Sequence, residues 1–90
     1  MMDGSTPPAQ VRIYSLSTCA HCAALKRMLH QHGIVYEFID IDLMAREERQ
    51  QFLKEIAPYN PQRIFPIIII NNKAIVGFRR ELIERELGIG

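Results

Sequence analysis

The chain has 90 residues, which is enough for one domain with a single modest hydrophobic core. Its hydrophobic content of 48% and its charged content of 23% are those of an ordinary globular chain. The 11 basic and 10 acidic residues give a formal net charge of +1, and no basic stripe is present. This composition argues against a nucleic-acid partner and against a membrane partner.

The first ten residues predict a flexible tail. Residues 1–10 combine glycine, serine and proline ahead of the first apolar run. They carry Asp3 where a signal peptide would carry positive charge, and they lack an apolar core segment. The longest apolar run, residues 65–70, is too short to span a bilayer. We therefore expect a cytoplasmic location, and we expect a monomer with one domain over residues 11–90.

Apolar spacing predicts a strand and then a helix at the start of this domain. Val11–Ser15 has the composition of a short buried strand. A helix is predicted from residue 19 or 20 to residue 32, because apolar side chains repeat there at the spacing of one helix face. Gly33 is predicted to end this helix.

The middle of the chain predicts a second strand and a second helix. Residues 35–41 are rich in β-branched and aromatic side chains, which favour a strand. Asp42 is the predicted N-cap of a charged helix over about residues 44–57. Pro58 ends that helix, and a loop follows.

The last third of the chain predicts a hairpin and a helix. Ile67–Ile70 is predicted to be an interior strand, because an edge position would leave one face of four isoleucines exposed. Asn71 and Asn72 are the predicted turn into a further strand, Lys73–Val76. The final helix is predicted over Arg80–Leu87.

The predicted order is β-α-β-α-β-β-α. The first two strands must be parallel and joined by a right-handed crossover, whereas the last two must be antiparallel because a two-residue turn joins them. The expected fold class is therefore α/β, with a four-stranded mixed sheet and helices on both of its faces.

The two cysteines, Cys19 and Cys22, are the strongest functional signal. They are the only cysteines in the chain, and they lie at the predicted junction of the first strand and helix. A disulfide across so short a gap closes a very small loop and stabilises the fold little, so a structural bridge is a poor explanation. A dithiol that cycles between reduced and oxidised forms fits better. The helix N-terminus favours an anion at Cys19, and Cys22 is placed one turn deeper to resolve a mixed disulfide.

Two binding functions are rival interpretations of the same cysteines. A zinc module needs two more ligands, and His30 and His32 point to different sides of a helix, so they cannot act as a pair. The other rival is a dimer that holds an iron–sulfur centre with Cys19 and two glutathione thiols. We predict no obligatory cofactor and no metal ligands in the chain.

Five segments together form a recognisable pattern: Ile13-Tyr14, Thr18-Cys19-Ala20-His21-Cys22, Lys26, Arg63-Ile64-Phe65-Pro66 and Gly77-Phe78. With the predicted order of elements, this pattern resembles a glutaredoxin of the thioredoxin-fold superfamily over residues 11–88. The resemblance implies a thioredoxin-like fold. It also implies a thiol–disulfide oxidoreductase that reduces protein disulfides or mixed disulfides through the dithiol.

The resemblance further implies a substrate-binding surface beside Cys19. A cis Phe65–Pro66 peptide bond near Cys19 would turn the Phe65 backbone toward an extended substrate. For His21, both a tuning effect on the Cys19 thiolate and simple exposure beside the site stay open. Lys26, four residues beyond Cys22, either adds positive potential near the dithiol or is a solvated helix residue, and we expect the second. The predicted substrate contacts are Phe65, Pro66, His21, Arg63, Gly77 and Phe78.

Departures from the glutaredoxin pattern bear on the electron source. Phe78 replaces a glycine after Gly77, and Leu16 stands where many members carry a basic residue. Here the chain is more similar to glutaredoxin-like redoxins that are recharged by a flavoprotein reductase. We therefore predict recycling by a flavoprotein or ferredoxin-linked reductase, with glutathione as the alternative co-substrate and electron source.

Overall fold

Four strands and three α-helices follow one another in the predicted order in the computed structural model of the chain, which describes residues 10–89. Residues 1–9 of the predicted tail lie outside the described residues. Within residues 10–89, no helix is long and apolar enough to cross a membrane. The strands are β1 (Val11–Ser15), β2 (Glu37–Asp40), β3 (Ile67–Ile70) and β4 (Lys73–Val76). The helices are α1 (Ala20–Gln31), α2 (Arg46–Ile56) and α3 (Arg80–Leu87).

The strands form one mixed sheet in the order β2-β1-β3-β4. Strand β1 runs parallel to β2 and antiparallel to β3, and β3 runs antiparallel to β4. The isoleucine strand β3 is therefore interior, as predicted, since both of its edges are paired. Asn71 and Asn72 form the hairpin turn with φ angles of 49° and 72°, the left-handed backbone that a two-residue turn between twisted strands requires.

Helices cover both faces of the sheet, which confirms the predicted α/β architecture. On one face, α1 and α3 bury their apolar sides against alternate residues of β1, β3 and β4. On the other face, α2 packs against the sheet, where the ring centroids of Tyr14 and Phe52 lie 4.5 Å apart. The buried core on the first face consists of Val11, Ile13, Leu25, Met28, Leu29, Ile68, Ile70, Ile75 and Ile83.

Strand β2 is shorter than the predicted strand over residues 35–41. It begins at Glu37, which lies opposite Arg12 of β1 at the start of the ladder. Val35 precedes the ladder and is 86% exposed. Its neighbours Ile34 and Tyr36 pack against the core instead, so the apolar residues before β2 do not all point to one buried face.

The start of α2 also differs from the prediction. The helix begins at Arg46, and its N-cap residue, Ala45, makes no side-chain capping hydrogen bond. Asp42 is not the cap, because it lies within a short 3-10 turn, Ile41–Leu43, that follows β2. Its carboxylate instead accepts hydrogen bonds from Ser17, in the loop before α1.

Candidate functional site

Cys19 is the N-cap residue of α1. Its backbone is extended, and its sulfur accepts a hydrogen bond from the backbone N–H of Cys22 at 3.2 Å. That N–H is one of the groups that a helix leaves without a partner in its first turn. A sulfur in this position receives the positive end of the helix dipole, so the site favours negative charge there.

Cys22 lies one turn along α1 in a different environment. Its side chain is 1% exposed, and neither cysteine is bonded in a disulfide. Burial, followed by the hydrogen bond and the charge of Cys19, raises the pKa of the Cys22 thiol to about 12. A backbone hydrogen bond with Leu16 and the charge of Lys26 act in the opposite direction. The half-buried sulfur of Cys19 is therefore accessible for attack on a substrate, whereas the buried thiol of Cys22 stays protonated at neutral pH.

The loop before β3 contacts the sulfur of Cys19. The carbonyl oxygen of Phe65 lies 3.9 Å from the sulfur, and the Phe65–Pro66 peptide bond is cis, as predicted. The backbone N–H of Gly77 donates to the carbonyl oxygen of Pro66 at 2.7 Å. Gly77 adopts a φ of +88°, a conformation that glycine reaches without steric cost. Phe65, Pro66 and Gly77, three of the predicted substrate contacts, are thus joined to one another, and Phe65 contacts the dithiol.

The other three predicted contacts are less closely tied to the sulfur. His21 is exposed in the first turn of α1. Arg63 is exposed with a φ of +53° in the loop before β3. Phe78 is partly buried and packs against the core on the face of the sheet that α1 and α3 cover. Arg79 and Arg80, which follow it, are exposed.

Asn60 holds this loop, and sequence reasoning did not identify it. Its side chain is 2% exposed and pairs with both main-chain groups of Ile64: the amide nitrogen donates to the carbonyl at 2.9 Å, and the amide oxygen accepts from the N–H at 3.0 Å. The residue thus closes the turn that leads to Phe65. An asparagine followed by proline is typical of turns, so Asn60-Pro61 was a usable signal.

Asp42 fixes the segment on the other side of Cys19. One carboxylate oxygen accepts from the backbone N–H of Ser17 at 2.9 Å, and the other accepts from its hydroxyl. These hydrogen bonds lower the pKa of Asp42, with the hydroxyl as the largest cause. Ser17 is the first central residue of a turn that a hydrogen bond from the Cys19 N–H to the Leu16 carbonyl closes. The acidic residue expected to cap α2 therefore supports the dithiol loop instead.

Lys26 is not the solvated helix residue that we expected. Its side chain is 22% exposed, and its ammonium nitrogen lies 3.3 Å from a carboxylate oxygen of Asp40. The same nitrogen lies 3.9 Å from the centre of the Phe38 ring, a cation–π contact. The fully buried hydroxyl of Ser15 donates to the same carboxylate of Asp40. Lys26 is therefore held against β2, one helical turn beyond Cys22.

No group of three or more His, Cys, Asp or Glu side chains that could hold a metal ion occurs within residues 10–89. A metal at the two cysteines would therefore need further ligands from outside this part of the chain.

The family model described as Glutaredoxin matches residues 11–75. A curated relative, glutaredoxin 1 of Rickettsia felis, is 31% identical over 65 residues, which cover 72% of this chain and 61% of the relative. The chain therefore spans less than two thirds of the length of that relative.

Two solved structures are similar over most of their length. Methanoredoxin of Methanosarcina acetivorans is 37% identical with a TM-score of 0.77, and the match covers 89% of this chain and 85% of that one. The glutaredoxin of Methanosarcina mazei is 30% identical with a TM-score of 0.76, and the match covers 99% and 96% of the two chains.

Proposed function

The chain belongs to the glutaredoxin family and has a thioredoxin-like fold, and on this premise we propose that it is a thiol–disulfide oxidoreductase acting through Cys19 and Cys22. One observation carries the proposal: the Cys19 sulfur sits at the N-terminus of α1, between the Cys22 N–H and the Phe65 carbonyl. We further propose that the protein acts as a cytoplasmic monomer on protein disulfides or mixed disulfides.

The proposed reaction has two steps. The Cys19 thiolate attacks one sulfur of a substrate disulfide, forms a mixed disulfide and releases the other substrate sulfur as a thiolate, which takes up a proton. Cys22 then loses its proton and attacks the Cys19 sulfur. The intramolecular disulfide forms, and the second substrate thiol leaves. The substrate gains two electrons and two protons, and the dithiol loses them.

The loop before β3 supplies the proposed docking site for a protein substrate. Within residues 10–89, the backbone N–H of Phe65 makes no backbone hydrogen bond, whereas its carbonyl faces the Cys19 sulfur. An extended substrate segment can pair with this free main-chain group while its disulfide lies over Cys19. Ile64, which is 43% exposed, adds apolar surface next to the same loop.

For the electron source, we propose a flavoprotein or ferredoxin-linked reductase in preference to glutathione. Glutathione presents two carboxylates, and the loop around Cys19 carries Leu16 where a basic residue would attract one of them. Phe78 occupies the position of the second glycine and packs into the core, so backbone approach there is less close than at a glycine.

The test is reduction of insulin disulfides by the full chain with two recycling systems in parallel. One contains NADPH and a flavoprotein thioredoxin reductase; the other contains glutathione, glutathione reductase and NADPH. We expect steady turnover with the first system and slow turnover with the second. Failure to reduce insulin even when the chain is supplied fully reduced would contradict the oxidoreductase proposal. Faster turnover with glutathione would contradict only the electron source.

A further inference from the structure

Lys26 stands one helical turn beyond Cys22 on α1. Residues four apart on a helix are neighbours on the same face, so the lysine and the buried thiol share one side of α1. Asp40 and Phe38 of β2 hold its ammonium group from across the interface. A lysine on a helix surface normally samples many conformations, whereas this one is held by an ion pair and a cation–π contact on the helix face that it shares with Cys22.

We propose that Lys26 is a positioning residue for the second step of the reaction, in which its fixed charge favours the thiolate of Cys22 once Cys19 carries the substrate. The inference rests on the proposed function, and it adds which side chain serves the resolving thiol. It assigns a function to the Ser15–Asp40–Lys26 contacts, which the attack by Cys19 does not use.

The need for such a charge follows from the chemistry of the mixed disulfide. At that stage the Cys19 sulfur is bonded to the substrate and carries no charge. The Cys22 S–H bond must break before a Cys22–Cys19 bond forms and the Cys19–substrate bond breaks, with the substrate sulfur leaving as a thiolate that takes up a proton. Burial still opposes the ionisation of Cys22, and the charge of Lys26 still favours it.

The charged and titratable groups around Cys22 come from two elements. Cys19 and Lys26 lie on α1 itself, and Asp40 lies on β2 in contact with Lys26. Asp40 offsets part of the lysine's charge while it fixes the ammonium in place. The charge of Lys26 is the smallest of the causes that act on the pKa of Cys22, and Asp40 offsets part of it. An opposite charge within reach shifts a pKa by about 1–3 units, so we expect an effect no larger than the lower end of that range. One unit corresponds to about tenfold in the thiolate fraction.

The experiment separates the two steps with 5,5′-dithiobis(2-nitrobenzoate) on the reduced chain in a stopped-flow instrument. Attack by Cys19 releases one coloured thiolate at a rate that depends on the reagent concentration. Resolution by Cys22 releases the second at a rate that does not. The variants are Lys26→Met, which keeps an apolar contact with Phe38, and Lys26→Gln, which keeps a donor for Asp40. Arg27→Met removes a neighbouring exposed charge as the matched control.

We expect the second phase to slow about tenfold in Lys26→Met and Lys26→Gln, with its pH profile moved up by about one unit. The first phase should stay within about twofold of the unchanged chain, Arg27→Met should leave both phases unchanged, and Lys26→Arg should restore the second phase. A second phase of unchanged rate in both lysine variants would overturn the inference, as would equal slowing of both phases. Release of only one equivalent by the unchanged chain would instead overturn the proposed function.

Discussion

The sulfur of Cys19 lies at the start of α1, half-buried, between a backbone N–H and the carbonyl of Phe65. The sulfur of Cys22 lies one turn deeper, 1% exposed, on the side of Lys26 and Asp40. The first environment presents the sulfur to a substrate at the positive end of the helix dipole. The second keeps the Cys22 thiol protonated, because burial raises its pKa. Two thiols in one short motif can therefore perform different steps, because the helix end and the core impose opposite demands on them.

Removing one sulfur at a time has the largest expected effect. Cys19→Ser is expected to abolish turnover, because Cys22, the other cysteine of the sequence, is buried. Cys22→Ser is expected to retain the first step and to accumulate a mixed disulfide on Cys19, which intact-mass spectrometry measures.

The order of alkylation provides the check on this assignment. Iodoacetamide at neutral pH should label Cys19 well before Cys22, since Cys22 is buried with a raised pKa. Faster labelling of Cys22 would reverse the roles of the two residues.

Added positive charge in the loop before Cys19 has the next largest expected effect. Leu16→Lys places an ammonium group at the residue whose carbonyl oxygen accepts the hydrogen bond from the Cys19 N–H. A new charge-assisted contact with a glutathione carboxylate is worth about 1.5–3 kcal/mol, or roughly one to two orders of magnitude in affinity. We therefore expect the KM for glutathione to fall about tenfold or more in a glutathione-coupled assay. Gln31→Lys, at the far end of α1, is the matched control; an equal gain there would show that net charge alone is responsible.

The sequence predicted best what depends on local pattern. Helix α1 and its N-terminal cysteine follow from apolar periodicity, and the β3–β4 turn follows from Asn71 and Asn72. The cis Phe65–Pro66 bond was accessible only through the family resemblance, because a proline alone favours the trans form.

The contacts that sequence reasoning missed join segments far apart in the chain. Asp42 meets Ser17 across 25 residues, and Lys26 meets Asp40 across 14. From the sequence alone, Asp42 fits an N-cap of the charged helix as well as it fits a partner of Ser17. Only the folded chain, which brings the segment after β2 next to the loop before α1, selects Ser17. Asn60 is different, because its contacts are local, four residues away, but nothing in the pattern showed that its side chain would be buried.

A smaller effect is expected from removing the Asn60 side chain, which holds the loop before β3. Asn60→Ala removes two hydrogen bonds and leaves both main-chain groups of Ile64 without their partner. The expected loss is about 2–3 kcal/mol in the free energy of unfolding, measured by urea denaturation. Gln62→Ala, an exposed residue of the same loop, is the control and should stay within about 0.5 kcal/mol. A loss of equal size in both variants would mean that the loop tolerates no change, and that the buried amide has no special part.

The buried side of the dithiol is tested by the pH dependence of stability. The pKa of Cys22 is raised in the folded protein to about 12, whereas an unfolded cysteine titrates near 8.5. Between these values the unfolded chain has released a proton that the folded chain retains, so stability is full below about pH 8.5 and falls as the pH rises, by up to about 1.4 kcal/mol per pH unit. We expect the reduced chain to lose roughly 1 kcal/mol between pH 8.5 and 9.5 relative to Cys22→Ala.

Cys19→Ala should keep most of that slope, because burial is the largest cause of the shift and the neighbouring sulfur a smaller one. Parallel pH curves for the reduced chain and Cys22→Ala would show that the pKa of Cys22 is the same in the folded and the unfolded chain, and that burial does not hold this thiol protonated.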